Sequence, residues 1–156
     1  MVDLKKIAIR KLGIKEDIPY KLLLEADETI ESINRYIHNS IIYVANLENK
    51  QIGVCAVMDI EANKAEIKNI AVDEKCRGFG VGSTLIDFVE KEVRKNGYSH
   101  LLIATADAGE KQLKLYRRLG FVDFAVRKNF FIDNFPAPLF ENGRQLIDMV
   151  VLRKKL

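Results

Sequence analysis

A chain of 156 residues is long enough for one domain with its own core, and 48% hydrophobic with 30% charged residues is ordinary globular usage. The formal charge of +3, with no dense basic run except Arg153-Lys154-Lys155, argues against nucleic-acid binding and suits an anionic small ligand. No apolar stretch reaches transmembrane length, so no membrane partner is expected.

The N-terminus is charged where a signal peptide needs an apolar run, and two cysteines, Cys55 and Cys76, make no disulfide framework, so the cytoplasm is the expected compartment. His38 and His100 are isolated and lack metal-ligand spacing, so no metal is expected.

Lys5 to Leu12 alternates apolar and charged residues and predicts a strand. Glu16 to Ala26, with Pro19 near its start and Leu22-Leu23-Leu24 inside, predicts a short helix. Asp27 reads as the N-cap of a second helix with Ile30, Ile33 and Ile37 on one face, ending near His38-Asn39. Ile41 to Leu47 and Gln51 to Ile60 predict a hairpin about Glu48-Asn49-Lys50, and Ala65 to Val72 a third strand of the same meander.

Val81, Leu85, Val89 and Val93 share one face of a helix that ends at Asn96-Gly97. A strand over His100–Thr105, a helix over Glu110–Leu119 stopped by Gly120 and a strand over Phe121–Phe131 follow. Ile132 to Gly143 carries Pro136 and Pro138 and is expected to be irregular; Gln145–Leu152 predicts the last strand. The order describes one α/β (α+β) domain over residues 1–156: a mixed, mostly antiparallel sheet of about seven strands with about four helices and a late βαβ crossover.

The chemistry concentrates in Arg77-Gly78-Phe79-Gly80-Val81-Gly82-Ser83, between the third meander strand and a helix. Glycines at alternate positions clear side chains from the place where backbone N–H groups converge on a helix N-terminus, which is a phosphate or pyrophosphate site. A nucleotide P-loop requires a Lys after the last glycine, and none is present. A dinucleotide fingerprint requires its third glycine one position later, where Ser83 stands, and an acidic residue about 20 residues on.

Arg-Gly-x-Gly-x-Gly after a strand ending Ile-Ala-Val resembles the acetyl-coenzyme A motif of the GNAT superfamily of N-acetyltransferases, and Leu115-Tyr116-Arg117-Arg118-Leu119-Gly120-Phe121 is similar to its second hallmark, a helix ending Tyr-x-x-x-Gly-Phe. The element order is similar over nearly the whole chain. The resemblance implies a splayed mixed sheet, acetyl-CoA as cosubstrate in a cleft between the fourth and fifth strands, and direct acetyl transfer to a primary amine of a small molecule or a protein. Many relatives carry an Asn seven residues before the Tyr, touching the cofactor; Gly109 stands there. Phe135-Pro136-Ala137-Pro138-Leu139-Phe140-Glu141-Asn142-Gly143 resembles a smaller bacterial group within the superfamily.

The resemblance assigns the pyrophosphate to the backbone of Gly78, Phe79, Gly80, Val81, Gly82 and Ser83, with Arg77 adding a charged contact. Ile70, Ala71 and Val72 would pair by main chain with the pantetheine arm. Tyr116 would be the general acid that returns a proton to the coenzyme A thiolate, and Glu66 is the candidate base; a core tyrosine and a solvated strand carboxylate are the plain alternatives. Phe135 and Glu141 are the candidate acceptor-binding residues, in a segment that shapes a pocket or forms a homodimer contact. The second functional expectation is a non-catalytic coenzyme A-binding or sensing module on the same fold.

Overall fold

A computed structural model describes all residues, 1–156, in two compact units, Met1–Ser99 and His100–Leu156. Together they carry a mixed, mostly antiparallel set of seven main strands with helices, the fold class expected from the sequence.

In the first unit, β1 (Ile7–Lys11) is followed by α1 (Tyr20–Leu23) and α2 (Ile30–Asn34). Three strands then form a meander, β2 (Ser40–Leu47), β3 (Lys50–Ile60) and β4 (Lys64–Val72), in the antiparallel order β1-β2-β3-β4. Both faces of β2 and β3 are covered, so these strands read as nearly unbroken apolar runs rather than alternating ones. Val44, Val54, Ala56 and Ala71 pack with Leu23, Ile33, Tyr36 and Ile37 from the α1 and α2 segment. On the opposite face lies α3 (Val81–Lys95), which buries Val81, Leu85, Ile86, Val89 and Val93. Tyr43 meets Phe88 there, edge to face, at 5.7 Å. A Cβ at Gly53 would stand 2.9 Å from Leu85 Cδ1, so the glycine in mid-strand is what lets α3 approach β3.

β4 carries one extra residue. Asn69 pairs with Ala56 and Ile67 with Val57, which leaves Lys68 as a bulge. The bulge changes which positions face inward. Without it, position 69 would share a face with 65 and 67; with it, Asn69 and Ala71 turn toward α1 and α2.

In the second unit β9 (Met149–Lys155) lies between β5 (His100–Ala106) and β6 (Val122–Arg127), antiparallel to both. β5 and β6 are therefore parallel, and α4 (Glu110–Arg118) is the crossover that such a pair requires. α5 (Phe130–Asn134) and a two-residue hairpin, β7 (Phe140–Glu141) with β8 (Arg144–Gln145), fill the connection to β9.

Several boundaries differ from expectation, each for a local reason. Thr29, not Asp27, caps α2, because its hydroxyl reaches Ser32 N at 3.0 Å while Asp27 is taken by Tyr36. The strand expected through Phe131 stops at Arg127, where Asn129 enters the left-handed region (φ 56°) and Phe130 begins a helix. The stretch 132–143 is not wholly irregular: it ends α5 and opens the β7–β8 hairpin, turned by Asn142 and Gly143, both at positive φ. Gln145 belongs to that hairpin, and the last strand begins at Met149.

Candidate active site

The glycine loop is built by what precedes and follows it. β4 ends at Val72, and Asp73 caps a single 3-10 turn by accepting from Lys75 N at 3.0 Å. That backbone bond, with Lys50 3.4 Å away, holds the Asp73 carboxyl below the usual range. Gly78 and Gly80 then sit at φ 81° and 91°, a region that other residues enter only with strain. Gly80 is the residue before α3, and no side chain caps the helix. The first N–H groups of α3, from Val81, Gly82 and Ser83, therefore point outward without an intrahelical acceptor. A 15-residue helix adds its positive end to the same place. This is the donor set a pyrophosphate needs; a Cβ at Gly78 would meet no atom within 4 Å, while at Gly80 the Leu4 side chain lies 3.3 Å away.

Arg77 is engaged within the protein. Its Nε donates to the Val72 carbonyl at 3.0 Å and Nη2 to Glu25 at 2.8 Å, which ties the loop to the end of β4 and to the α1–α2 connection. Phe79 is 39% exposed on the loop, and Ile70, Ala71 and Val72 pair with Cys55, Val54 and Gly53 along the β3 side of β4.

Glu66 lies 3% exposed on β4 and is bonded by Lys68 Nζ at 3.0 Å, so it is a buried, paired carboxylate rather than a solvated one. Beside it is a polar network that no motif announced. Asn69 Nδ2 donates to Leu23 O and to Tyr36 Oη, both at 3.0 Å, and Tyr36 Oη donates to Asp27 at 2.8 Å. Burial, opposed by the Asn69 bond and assisted by the Asp27 charge, pushes the Tyr36 hydroxyl far above its ordinary pKa, so it remains a donor. Asn69 Oδ1 is buried with no partner. The available signal was an Asn on an otherwise apolar alternation with Ala65, Ile67 and Ala71, a polar residue where burial was expected.

In the second unit Tyr116 is 6% exposed on the last turn of α4, edge-on to Phe121 at 6.4 Å. Gly109 immediately precedes α4, and its place has no room for a side chain: a Cβ would stand 2.9 Å from Thr105 Oγ1 and 3.1 Å from Ala106 O. The departure from the usual Asn is thus built into the local packing. Phe135 stacks on Phe131 at 6.0 Å and lines a cavity; Glu141 does not line it and holds no ion pair. Cys55 is a fully buried core residue, and burial raises its thiol above the ordinary pKa.

The match to known proteins is consistent with this geometry. Residues 38–123 match the family model of the acetyltransferase (GNAT) domain. The chain is 32% identical to the "Uncharacterized N-acetyltransferase YvbK" of Bacillus subtilis (strain 168), over 97% of each chain. Among solved structures, a GNAT family acetyltransferase from Elizabethkingia anophelis with acetyl-CoA bound superposes at a TM-score of 0.94, with 38% identity over 97% of this chain and 99% of that one. An IAA acetyltransferase from Bacillus cereus superposes at 0.91, with 32% identity over 96% and 99%. The chain belongs to the GNAT family of acetyltransferases. It is an N-acetyltransferase that uses acetyl-CoA as donor and an amine as acceptor, and no comparison supports a non-catalytic binding module.

Proposed function

We propose that the α3 N-terminus holds the donor's pyrophosphate, that Tyr116 is the general acid and Glu66 the general base, and that the segment 130–146 receives the acceptor. The observation that carries the reading is the uncapped start of α3 behind two positive-φ glycines. The donor supplies an activated acetyl group; the protein's part is to hold, orient and move protons. The N–H groups of Val81, Gly82 and Ser83 provide aligned donors that cost no reorganisation when an anion arrives. Main-chain groups of Ile70, Ala71 and Val72 hold the pantetheine arm as an added strand.

An amine attacks only when neutral. Glu66 takes the proton from the acceptor nitrogen, directly or through water, and Lys68 fixes the carboxylate beforehand. As the acceptor nitrogen bonds to the acetyl carbon and the carbon–sulfur bond breaks, Tyr116 Oη gives its proton to sulfur. No covalent bond to the protein forms, and proximity supplies much of the acceleration. The donor is a cytoplasmic metabolite, and both cysteines are free thiols, which supports a cytoplasmic site of action.

The test is release of free thiol from acetyl-CoA with a panel of primary amines. Turnover that persists undiminished in both Tyr116→Phe and Glu66→Gln would remove the two proton-transfer roles while leaving the family assignment untouched.

A further inference from the structure

The segment 130–146 frames a pocket of about 130 Å³, open to solvent on one side and lined by Phe131, Phe135, Pro136, Ala137, Gln145 and Leu146, among others. Its inner wall is packed, while Pro136, Ala137 and Gln145 form an exposed rim. Phe131 and Leu146 are 8% and 5% exposed and belong to a small core with Ala106 and Ala108. Phe131 is clamped between two rings, stacked on Phe135 at 6.0 Å and edge-on to Phe130 at 5.1 Å. The main chain is fixed at two points, where Phe131 N donates to Ile147 O at 3.0 Å and Leu146 N to Leu139 O at 2.8 Å. Pro136 and Pro138 limit the freedom of the wall between them.

No charged side chain lines this space; Gln145 is its one polar side chain, beside main-chain polar groups. A polycation would find no side-chain counter-charge on this lining. A volume of about 130 Å³ is close to that of an apolar cavity that accepts a single benzene ring. The stacked rings offer a flat face to a further ring in offset geometry.

We propose that this cavity binds the apolar group of the acceptor, and that the acceptor class is a small primary amine carrying one ring or a branched aliphatic group. This rests on the reading of segment 130–146 as the acceptor segment, and it predicts no preference for polyamines or aminoglycosides, which have no apolar group to seat here. Glu141 lies outside this lining.

The experiment uses the full chain, with benzylamine, methylamine and spermidine as probes. Benzylamine is expected to shift the ring signals of Phe131 and Phe135 in NMR spectra and to be acetylated with a kcat/KM about tenfold or more above that of methylamine. Ala137→Phe fills the cavity from its exposed wall. It is expected to lower the benzylamine-to-methylamine ratio of kcat/KM about tenfold. A second filler, Gln145→Phe, guards against misfolding of the first, and unchanged thermal melting certifies either one. Ring signals that do not respond to benzylamine overturn the proposal. So does a preference for spermidine that both fillers leave intact. Ring signals that respond, with methylamine acetylated and benzylamine not, leave a binding pocket but overturn the reading of segment 130–146 as the acceptor segment.

Discussion

On the proposed reading, the loop 77–83 of the first unit and the segment 130–146 of the second recognise ligands in opposite ways. The loop works through backbone: positive φ at Gly78 and Gly80, and N–H groups at the start of α3. The segment works through side chains: three phenylalanines, a buried Leu146 and a proline-bound wall around a cavity. In the first, matter must be absent for the ligand to approach; in the second, matter must be present to shape the space. Substitutions should therefore separate function from stability in the loop and join them at the buried Phe131 and Leu146 of the segment, though not at its exposed rim.

Gly82→Asp tests the first half of that statement and has the largest expected effect. Gly82 is helical, and the nearest atom to an added Cβ is Val72 Cγ2 at 3.8 Å, so the change brings no strain. A carboxylate in the first turn is even favourable for the helix. The same carboxylate stands where the pyrophosphate would bind. Thermal melting of the variant alone is expected to be unchanged or slightly raised, while the shift on adding acetyl-CoA, worth about 2.7 kcal/mol at a hundred times Kd for the parent, disappears. Gly80→Asp is a poorer test, because φ 91° strains any side chain whether or not a ligand binds. A full acetyl-CoA shift in Gly82→Asp would break the comparison at its base.

Tyr116→Phe comes next. One lost proton transfer lowers kcat about ten- to a thousand-fold, and the ring keeps its contact with Phe121. The acetyl-CoA-induced shift in melting should remain. An unchanged kcat at saturating amine would make Tyr116 a packing residue.

The same contrast explains what could be read in the sequence. Glycines that need positive φ before a helix announce themselves, as at Gly78 and Gly80, because few other residues tolerate that geometry. The meander and α3 were equally legible, from period and from the Asn96-Gly97 stop, where Gly97 has φ 83°. The segment 130–146 was not. Phe130 and Phe131 continue the β-prone pattern of the strand before them, and only the left-handed turn at Asn129 breaks it. Asn69 was missed for a related reason: its inward direction depends on the Lys68 bulge, which alternation in one strand cannot reveal. Gly109 was legible as a departure but not as a necessity, since the crowding by Thr105 and Ala106 is a tertiary fact.

Tyr36→Phe probes the network that the bulge creates, with a smaller effect. Asp27 loses its Tyr36 donor and Asn69 keeps only Leu23 O, at a cost of about 1–2 kcal/mol by urea unfolding. The pH dependence follows from burial, which raises the Tyr36 pKa in the folded state. A group raised on folding contributes its full stability below its unfolded pKa, about 10 for tyrosine, and loses it as pH rises beyond. The parent should therefore destabilise more steeply above about pH 10 than Tyr36→Phe. Parallel alkaline curves would show that Tyr36 is not held protonated.

The smallest effects concern Arg77 and decide how far the loop depends on backbone alone. Its guanidinium is committed to Glu25, and the two side chains are 48% and 40% exposed. Such a pair is worth about 0.2–1 kcal/mol, so removing it alters melting little. Its effect on the donor should be read instead from acetyl-CoA titrations. If Arg77 contacts the pyrophosphate, it must first give up Glu25, and only the difference between the two partners reaches the binding constant. Glu25→Gln removes that competition and should tighten acetyl-CoA binding by a few-fold. Arg77→Ala should weaken it about tenfold or less, roughly one charge-assisted contact net of the pair it replaces. The two changes have opposite signs because Glu25 and the phosphate compete for one guanidinium. A loss beyond about a hundredfold in Arg77→Ala would mean that a side chain, not the start of α3, carries the anion, and the contrast between the two regions would fail.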